Sequence, residues 1–308
     1  MKIIQSFAQF EEGSPYFQHT EHENYEYLLF YSFLLSYITL KKYYGHVTMF
    51  CNQFAYDTFI KYIPYDEVIL KENKYDMKLW SVYKLDCIRA VGDDFIHVDP
   101  DVFIFDDLFR PFIDGDFDVI IQDILTADDN FKIVKRFANE NLEFLADSKI
   151  FTKQYDGRCM SGGVLGLKKG IPQDYYFAGI DILYKGMLDV GIKHIDGAAM
   201  VIEELLLYLI ATENDFKVYD VLPHDLILKH GVEEVGNMMN YVHAWKGSKY
   251  QKKTIDHIKR KILYEFPEYQ DLVLKYESDK YCELKAIKYP KDPKDPFNFP
   301  ILKFINYP

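Results

Sequence analysis

The chain lacks paired cysteines, any long uncharged run and a basic excess, and each absence removes a class of function. Cys51, Cys87, Cys159 and Cys282 stand apart with no C-x-x-C spacing. That argues against a disulfide framework or a zinc site, and fits reduced, partly buried thiols in a cytoplasmic protein. The longest uncharged run, Tyr27 to Leu40, carries Ser32, Ser36 and Thr39. It falls short of the ~20 residues a membrane span needs and reads as a buried helix. Met1-Lys2 leads directly into Ile3-Ile4-Gln5-Ser6-Phe7, the pattern of a strand and not of a signal peptide. Net charge is −12, from 36 basic and 48 acidic residues. No basic stripe is left to replace counterions on nucleic acid. Anionic small molecules stay open as ligands, because a bound divalent cation reverses the local sign.

What is present is an ordinary folded composition, 49% hydrophobic and 27% charged, over 308 residues. Short apolar runs alternate with helical stretches. Lys2–Phe7, His46–Cys51, Val68–Leu70 and Phe95–Val98 read as strands, and Tyr25–Tyr44, Ala55–Tyr62 and Lys78–Val91 as the helices between them. Such alternation predicts right-handed crossovers and a mixed α/β fold with a mainly parallel sheet. Val119–Gln122 and Gly163–Leu167 read as further strands. Phe131–Leu145, Ala198–Thr212 and the basic Thr254–Tyr264 read as helices. Prolines 290, 293, 296, 300 and 308 mark an extended tail over residues 289–308. No repeat or clear linker divides residues 1–288, so one α/β body is expected there.

The sharpest chemical signal is Phe95-Ile96-His97-Val98-Asp99-Pro100-Asp101-Val102, an apolar strand ending in two carboxylates. In an open parallel sheet ligands bind outside the carboxyl ends of the strands, which is where these residues fall. A spacing of two directs both side chains to one side of extended chain. Two bare carboxylates ~4 Å apart repel by roughly 4 kcal/mol at an effective dielectric of ~20. A divalent cation removes that repulsion, and Mg²⁺ or Mn²⁺ favours a shell of carboxylate and phosphate oxygens. Asp-Pro-Asp is also ordinary turn chemistry.

Phe95–Phe105 resembles the D-x-D region of GT-A glycosyltransferases, the fold of glycogenin-like and bacterial capsule- or lipopolysaccharide-type transferases. Other segments fit in order. Lys2–Phe7 resembles the opening nucleotide-binding strand. Trp80, Lys84 and Asp86 stand where such enzymes carry base- or ribose-contacting residues. Ser161-Gly162-Gly163-Val164-Leu165-Gly166 resembles the small-residue strand that follows. His243-Ala244-Trp245-Lys246-Gly247-Ser248-Lys249 resembles the late segment whose histidine adds a third metal ligand and whose lysine contacts the diphosphate. Two departures are visible: Gly247 falls four residues after His243, and Tyr250-Gln251 stands where Pro-Trp is common.

The resemblance implies a nucleotide half up to about residue 110 and an acceptor half over 111–288. It implies Asp99, Asp101 and His243 as ligands of Mn²⁺ or Mg²⁺. Asp99 also faces the donor, a nucleoside diphosphate sugar with UDP as the expected nucleotide, and Lys246 and Lys249 meet its diphosphate. Asp123, Asp196, Glu203 and Glu204 are the catalytic candidates for contact with a carbohydrate, lipid-linked or protein acceptor. Each has a plainer reading: Asp123 as a turn residue, Asp196 as a helix N-cap, and Glu203 and Glu204 as a solvent-facing pair. Asp86 can equally pair with Arg89 on its helix surface. Some of the 26 Tyr and 24 Phe can line a sugar cleft, since such rings suit a pyranose. The triplet Lys259-Arg260-Lys261 reads as a solvated face, with peripheral membrane contact an alternative. Asp99-Pro100-Asp101-Val102 also satisfies D-x-D-x-[TV] of haloacid-dehalogenase-like phosphatases, with Asp99 as nucleophile. That motif normally lies on a first strand, unlike this one. A catalytically silent glycan- or nucleotide-binding module is the third reading.

Overall fold

Neighbouring residues of a strand point to opposite faces, and here they feed two cores. The computed structural model describes residues 1–9, 25–75, 80–92, 94–126, 158–168, 173–190, 199, 201–244 and 252–280. Strands β1 (Lys2–Phe7), β2 (Val47–Cys51), β3 (Glu67–Leu70) and β4 (Phe95–Val98) follow the expected alternation. Next come β5 (Val102–Ile104), β6 (Val119–Ile121), β7 (Ile124–Thr126), β8 (Arg158–Met160), β9 (Val164–Leu167), β10 (Val218–Asp220) and β11 (Tyr241–His243). Ile3 and Ile96 join one hydrophobic cluster while Ile4 and Phe95 join the other. The sheet between the two clusters has seven strands in the order β10-β6-β9-β4-β1-β2-β3. All neighbours pair in parallel except β9, which runs antiparallel to both β4 and β6. The fold is therefore mixed α/β with a mainly parallel sheet flanked by helices.

The helix Tyr25–Tyr44 lies with the first cluster, burying Phe30, Leu34 and Ile38. Its hydroxyls have a specific job. Ser32 Oγ donates to the Pro100 carbonyl at 3.2 Å, and Ser36 Oγ donates to the Val102 carbonyl at 2.6 Å. The polar residues of the longest uncharged run thus fasten the Asp-Pro-Asp turn from below. On the opposite face, the helix Trp80–Val91 lies beside Val201–Leu205, which leads into Leu206–Glu213. The apolar stretch expected as one helix over 198–212 is not uniform: Val201–Leu205 is a π-helical turn, followed by the α-helix Leu206–Glu213.

Helix Lys252–Glu265 packs on Tyr25–Tyr44, burying Ile255, Ile258 and Ile262. Its basic triplet is not the expected solvated face. Lys259 is buried, paired with Glu277 and set over the Tyr31 ring. The apolar face that peripheral membrane contact would use is occupied by the protein itself. No helix among the described residues is long and apolar enough to cross a membrane. The expected helix Phe131–Leu145 and the proline-rich tail 289–308 lie outside the described residues.

Candidate active site

The turn after β4 is held by backbone from two distant segments. Asp99 N–H donates to the Gly163 carbonyl at 2.9 Å, and Ala244 N–H donates to the Asp101 carbonyl at 2.8 Å. The second bond follows from β11 lying antiparallel to β5, with His243 opposite Val102. That pairing delivers the imidazole to the carboxylates. His243 Nε2 lies 3.3 Å from Asp101 Oδ1, and one ligand atom from each of Asp99, Asp101 and His243 lies within 4.8 Å of the others. Sequence placed these three together, and the structure does so too.

Two carboxylates and one imidazole suit Mn²⁺ or Mg²⁺ completed by phosphate or water oxygens. Burial raises the Asp99 carboxyl above its ordinary value; the Lys84 ammonium opposes this and the Asp101 carboxylate adds to it. A cation among the three would relieve that repulsion, so the residues present fit a divalent metal.

Lys84, expected to contact the base or ribose, bonds to groups of the site itself. It turns inward, buried, with Nζ 2.7 Å from Asp99 Oδ1, and is also bonded to Glu203 and to the Gly162 carbonyl. Burial alone lowers a lysine, yet Asp99 and Glu203 reverse that and hold this ammonium above its ordinary value. Glu203 and Glu204 are not a solvent-facing pair either. Glu203 is 2% exposed, and burial pushes its carboxyl up against the pull of Lys84. Burial, then repulsion from Glu203, pushes Glu204 up further. Its Oε1 accepts from Gly162 N–H at 3.4 Å, while Oε2 has no hydrogen-bond partner. Both sit on or beside the π-helical turn, a local geometry often found at functional sites.

Asp123 is 1% exposed, and burial raises its carboxyl to about 6 despite hydrogen bonds from Ser161 and Gln122. His97, two residues before Asp99, is fully buried, with Nε2 2.8 Å from Ser6 Oγ. Burial, followed by the Lys84 charge, holds that imidazole well below its ordinary value and hence neutral.

Other expectations fare differently. Asp86 pairs with Lys71 at 3.0 Å and not with Arg89, which reaches Asp181 at 2.9 Å because it extends across to the helix Gln173–Val190. Trp80 begins the helix that carries Lys84. Asp196, Lys246 and Lys249 lie outside the described residues.

Sequence reasoning missed Gln122, whose Oε1 is 2.7 Å from His243 Nδ1 and accepts from the Tyr241 hydroxyl at 2.7 Å. It also missed why Gly162-Gly163 must be glycines. A Cβ at Gly162 would lie 2.0 Å from Glu203 Oε1, and one at Gly163 would lie 2.2 Å from Gln122 Oε1. Gly162→Ala is therefore expected to destabilise by roughly 1–3 kcal/mol through overpacking against a salt-bridged carboxylate. Chemical denaturation measures this, and an unchanged midpoint would contradict the close approach.

Residues 1–276 match the family of unknown function DUF6734. The chain belongs to that family. No curated protein matches it. Among solved structures it is similar to a glycosyltransferase involved in glycosylation of the major capsid of PBCV-1, at 10% identity, 84% of this chain, 100% of that one and TM-score 0.41. It is also similar to the bifunctional glycosyltransferase WbbM, at 11% identity, 89% of this chain and TM-score 0.43, spanning 51% of that chain. Mouse xyloside xylosyltransferase 1 follows at 11% identity, 79% and 96% of the two chains and TM-score 0.32.

Proposed function

We propose that this protein is a GT-A-type glycosyltransferase, moving a sugar from a nucleoside diphosphate sugar to a hydroxyl on a glycan, lipid-linked or protein acceptor. The observation that carries the reading is the convergence of Asp99, Asp101 and His243 at the carboxyl end of a parallel strand, where open α/β sheets bind ligands. Mn²⁺ or Mg²⁺ bound there supplies positive charge to the diphosphate as the sugar departs.

The chain's own groups supply the rest. Asp99, Asp101 and His243 would hold the cation. Lys84 opposes the burial that raises the Asp99 carboxyl, and its ammonium ties Asp99 to Glu203. That bond commits Glu203 to holding the site together, leaving Asp123, Glu204 and Asp196 as the proton-accepting candidates toward the acceptor hydroxyl. A carboxyl raised to about 6, as at Asp123, is better matched to proton transfer near neutral pH than an ordinary one. Lys246 and Lys249, just beyond His243 in sequence, are assigned to the diphosphate.

UDP is the proposed nucleotide. Gln9, just beyond β1, is buried, and among the described residues neither of its amide atoms has a hydrogen-bond partner. A free amide pairs a donor and an acceptor with the imide edge of uracil.

A thermal-shift series with UDP-, GDP- and CDP-sugars, each with and without Mn²⁺, tests the reading on wild type and Asp101→Ala. A ligand that binds the native state raises the melting temperature by mass action. The expected result is a metal-dependent rise with one nucleotide family, lost in Asp101→Ala. Stabilisation by metal alone, with no donor effect, would sink the transferase reading in favour of the phosphatase or the silent module.

A further inference from the structure

We propose that Gln122 is a positioning residue that fixes the tautomer of His243, and through it the metal affinity of the centre. The affinity clause rests on the reading of Asp99, Asp101 and His243 as ligands; the tautomer clause does not.

A neutral imidazole has one nitrogen with a lone pair and one with a proton, and only the first can bind a cation. Which is which depends on the hydrogen bond at the far nitrogen. In His243 the far nitrogen is Nδ1, 2.7 Å from Gln122 Oε1, while Nε2 faces Asp101. The orientation of the Gln122 amide therefore decides the matter. Gln122 Nε2 lies 3.2 Å from Asp123 Oδ1 and donates to it. Flipping the amide would set its oxygen against that carboxylate. Oε1 is thus the atom between Tyr241 and His243, where it accepts from the tyrosine hydroxyl. An amide oxygen cannot donate, so Nδ1 carries the proton and the Nε2 lone pair points toward the carboxylates.

The surroundings leave the amide little freedom. Gln122 is 7% exposed; its N–H donates to the Val164 carbonyl at 3.0 Å, and its carbonyl accepts from Leu222 N–H at 2.8 Å. Against it stands Gly163, where a Cβ would come within 2.2 Å of Gln122 Oε1 and 2.8 Å of the His243 ring. The Asp123–Gln122–His243 chain is a carboxylate relayed through an amide to an imidazole, which orients the ring and selects its tautomer together.

The experiment begins with metal-free, ¹⁵N-labelled protein and long-range ¹H–¹⁵N imidazole correlations at alkaline pH. His243 is assigned by its loss in His243→Gln. Wild type is expected to show His243 protonated at Nδ1. Gln122→Met, which removes the acceptor, should move the proton to Nε2 or mix the two forms. Gln122→Glu, which keeps an acceptor oxygen, should restore the Nδ1 form. Mn²⁺ affinity, read by titration of free Mn²⁺, should fall about 10–100-fold in Gln122→Met and recover in Gln122→Glu.

An Nε2-protonated His243 in wild type overturns the proposal, and needs no variant to fold. An Nδ1 form that persists in Gln122→Met with unchanged Mn²⁺ affinity overturns it too. Absence of Mn²⁺ binding by wild type overturns the ligand reading and the affinity clause together. In that case the spectra still decide the tautomer clause.

Discussion

Replacing Lys84 with Met should lower the melting temperature by roughly 10 °C at pH 8, the largest stability loss expected of any single change at the site. Lys84 is buried between Asp99 and Glu203, and removing one partner leaves buried carboxylates without compensation. Breaking a buried ion pair in this way costs about 3–5 kcal/mol. In a protein of this size each kcal/mol moves the midpoint by roughly 2–4 °C. The pH dependence follows from the same carboxylates. Burial already pushes the carboxyls of Asp99 and Glu203 up in the native protein, so without the ammonium they take up protons more readily still. The deficit should therefore shrink at pH 5 and widen at pH 8. Added Mn²⁺ should recover part of the loss, because a cation beside Asp99 replaces the missing charge. Calorimetry at both pH values, with and without Mn²⁺, checks this. Equal deficits at both pH values would show that Lys84 acts through packing and not through charge.

Asp123→Asn is expected to do the opposite and stabilise the protein above neutral pH. Burial raises this carboxyl from 3.8 to about 6. Between those values the native state binds the proton that the unfolded state has released, so stability falls as pH rises through that window. Above about pH 6 the full cost is present, and a rise from 3.8 to about 6 corresponds to up to about 3 kcal/mol. The amide avoids the burial of charge and can still accept from Gln122. The variant should match wild type near pH 4 and exceed it at pH 8. If Asp123 accepts the proton in sugar transfer, the same variant loses turnover while gaining stability, the trade expected where a strained group is kept for use. Urea denaturation across pH and donor turnover measure the two effects separately. A variant less stable than wild type at pH 8 would show that burial is not what governs Asp123.

Much of this was legible in the residues because it was local. Strand–helix alternation marked β1 to β4 with their helices, and the carboxylates at the end of β4 announced themselves by position. Less legible was what depends on pairing far along the chain. β5 and β11 are three-residue strands whose value lies in facing each other, and no periodicity reveals that His243 stands opposite Val102. Gln122 gave no signal, since a glutamine after an apolar run is ordinary and its role appears only when Tyr241, His243 and Asp123 surround it. Lys84 was noticed for its helix, but its bonds to Asp99 and Glu203 were not foreseen, because sequence gives a residue's place on a helix without the direction its side chain takes. Composition marked residues 198–212 as helical yet could not tell an α-turn from the π-turn at Val201–Leu205.

The reversed strand β9 has a consequence for the order of biosynthesis. Among the described residues it is the only element joining β4 to β6 in the sheet, so the parallel half built from β1 to β4 leaves the ribosome with an open edge on β4. That edge stays unpaired until residues 164–167 emerge, and β10 and β11 follow later still. A nascent chain stalled before that point carries the acidic turn without its Gly163 anchor or its histidine. Such a chain offers an unpaired strand to its neighbours, the usual route to aggregation or chaperone capture. The cluster of Asp99, Asp101 and His243 is thus complete only once residue 243 has been made, after most of the polypeptide.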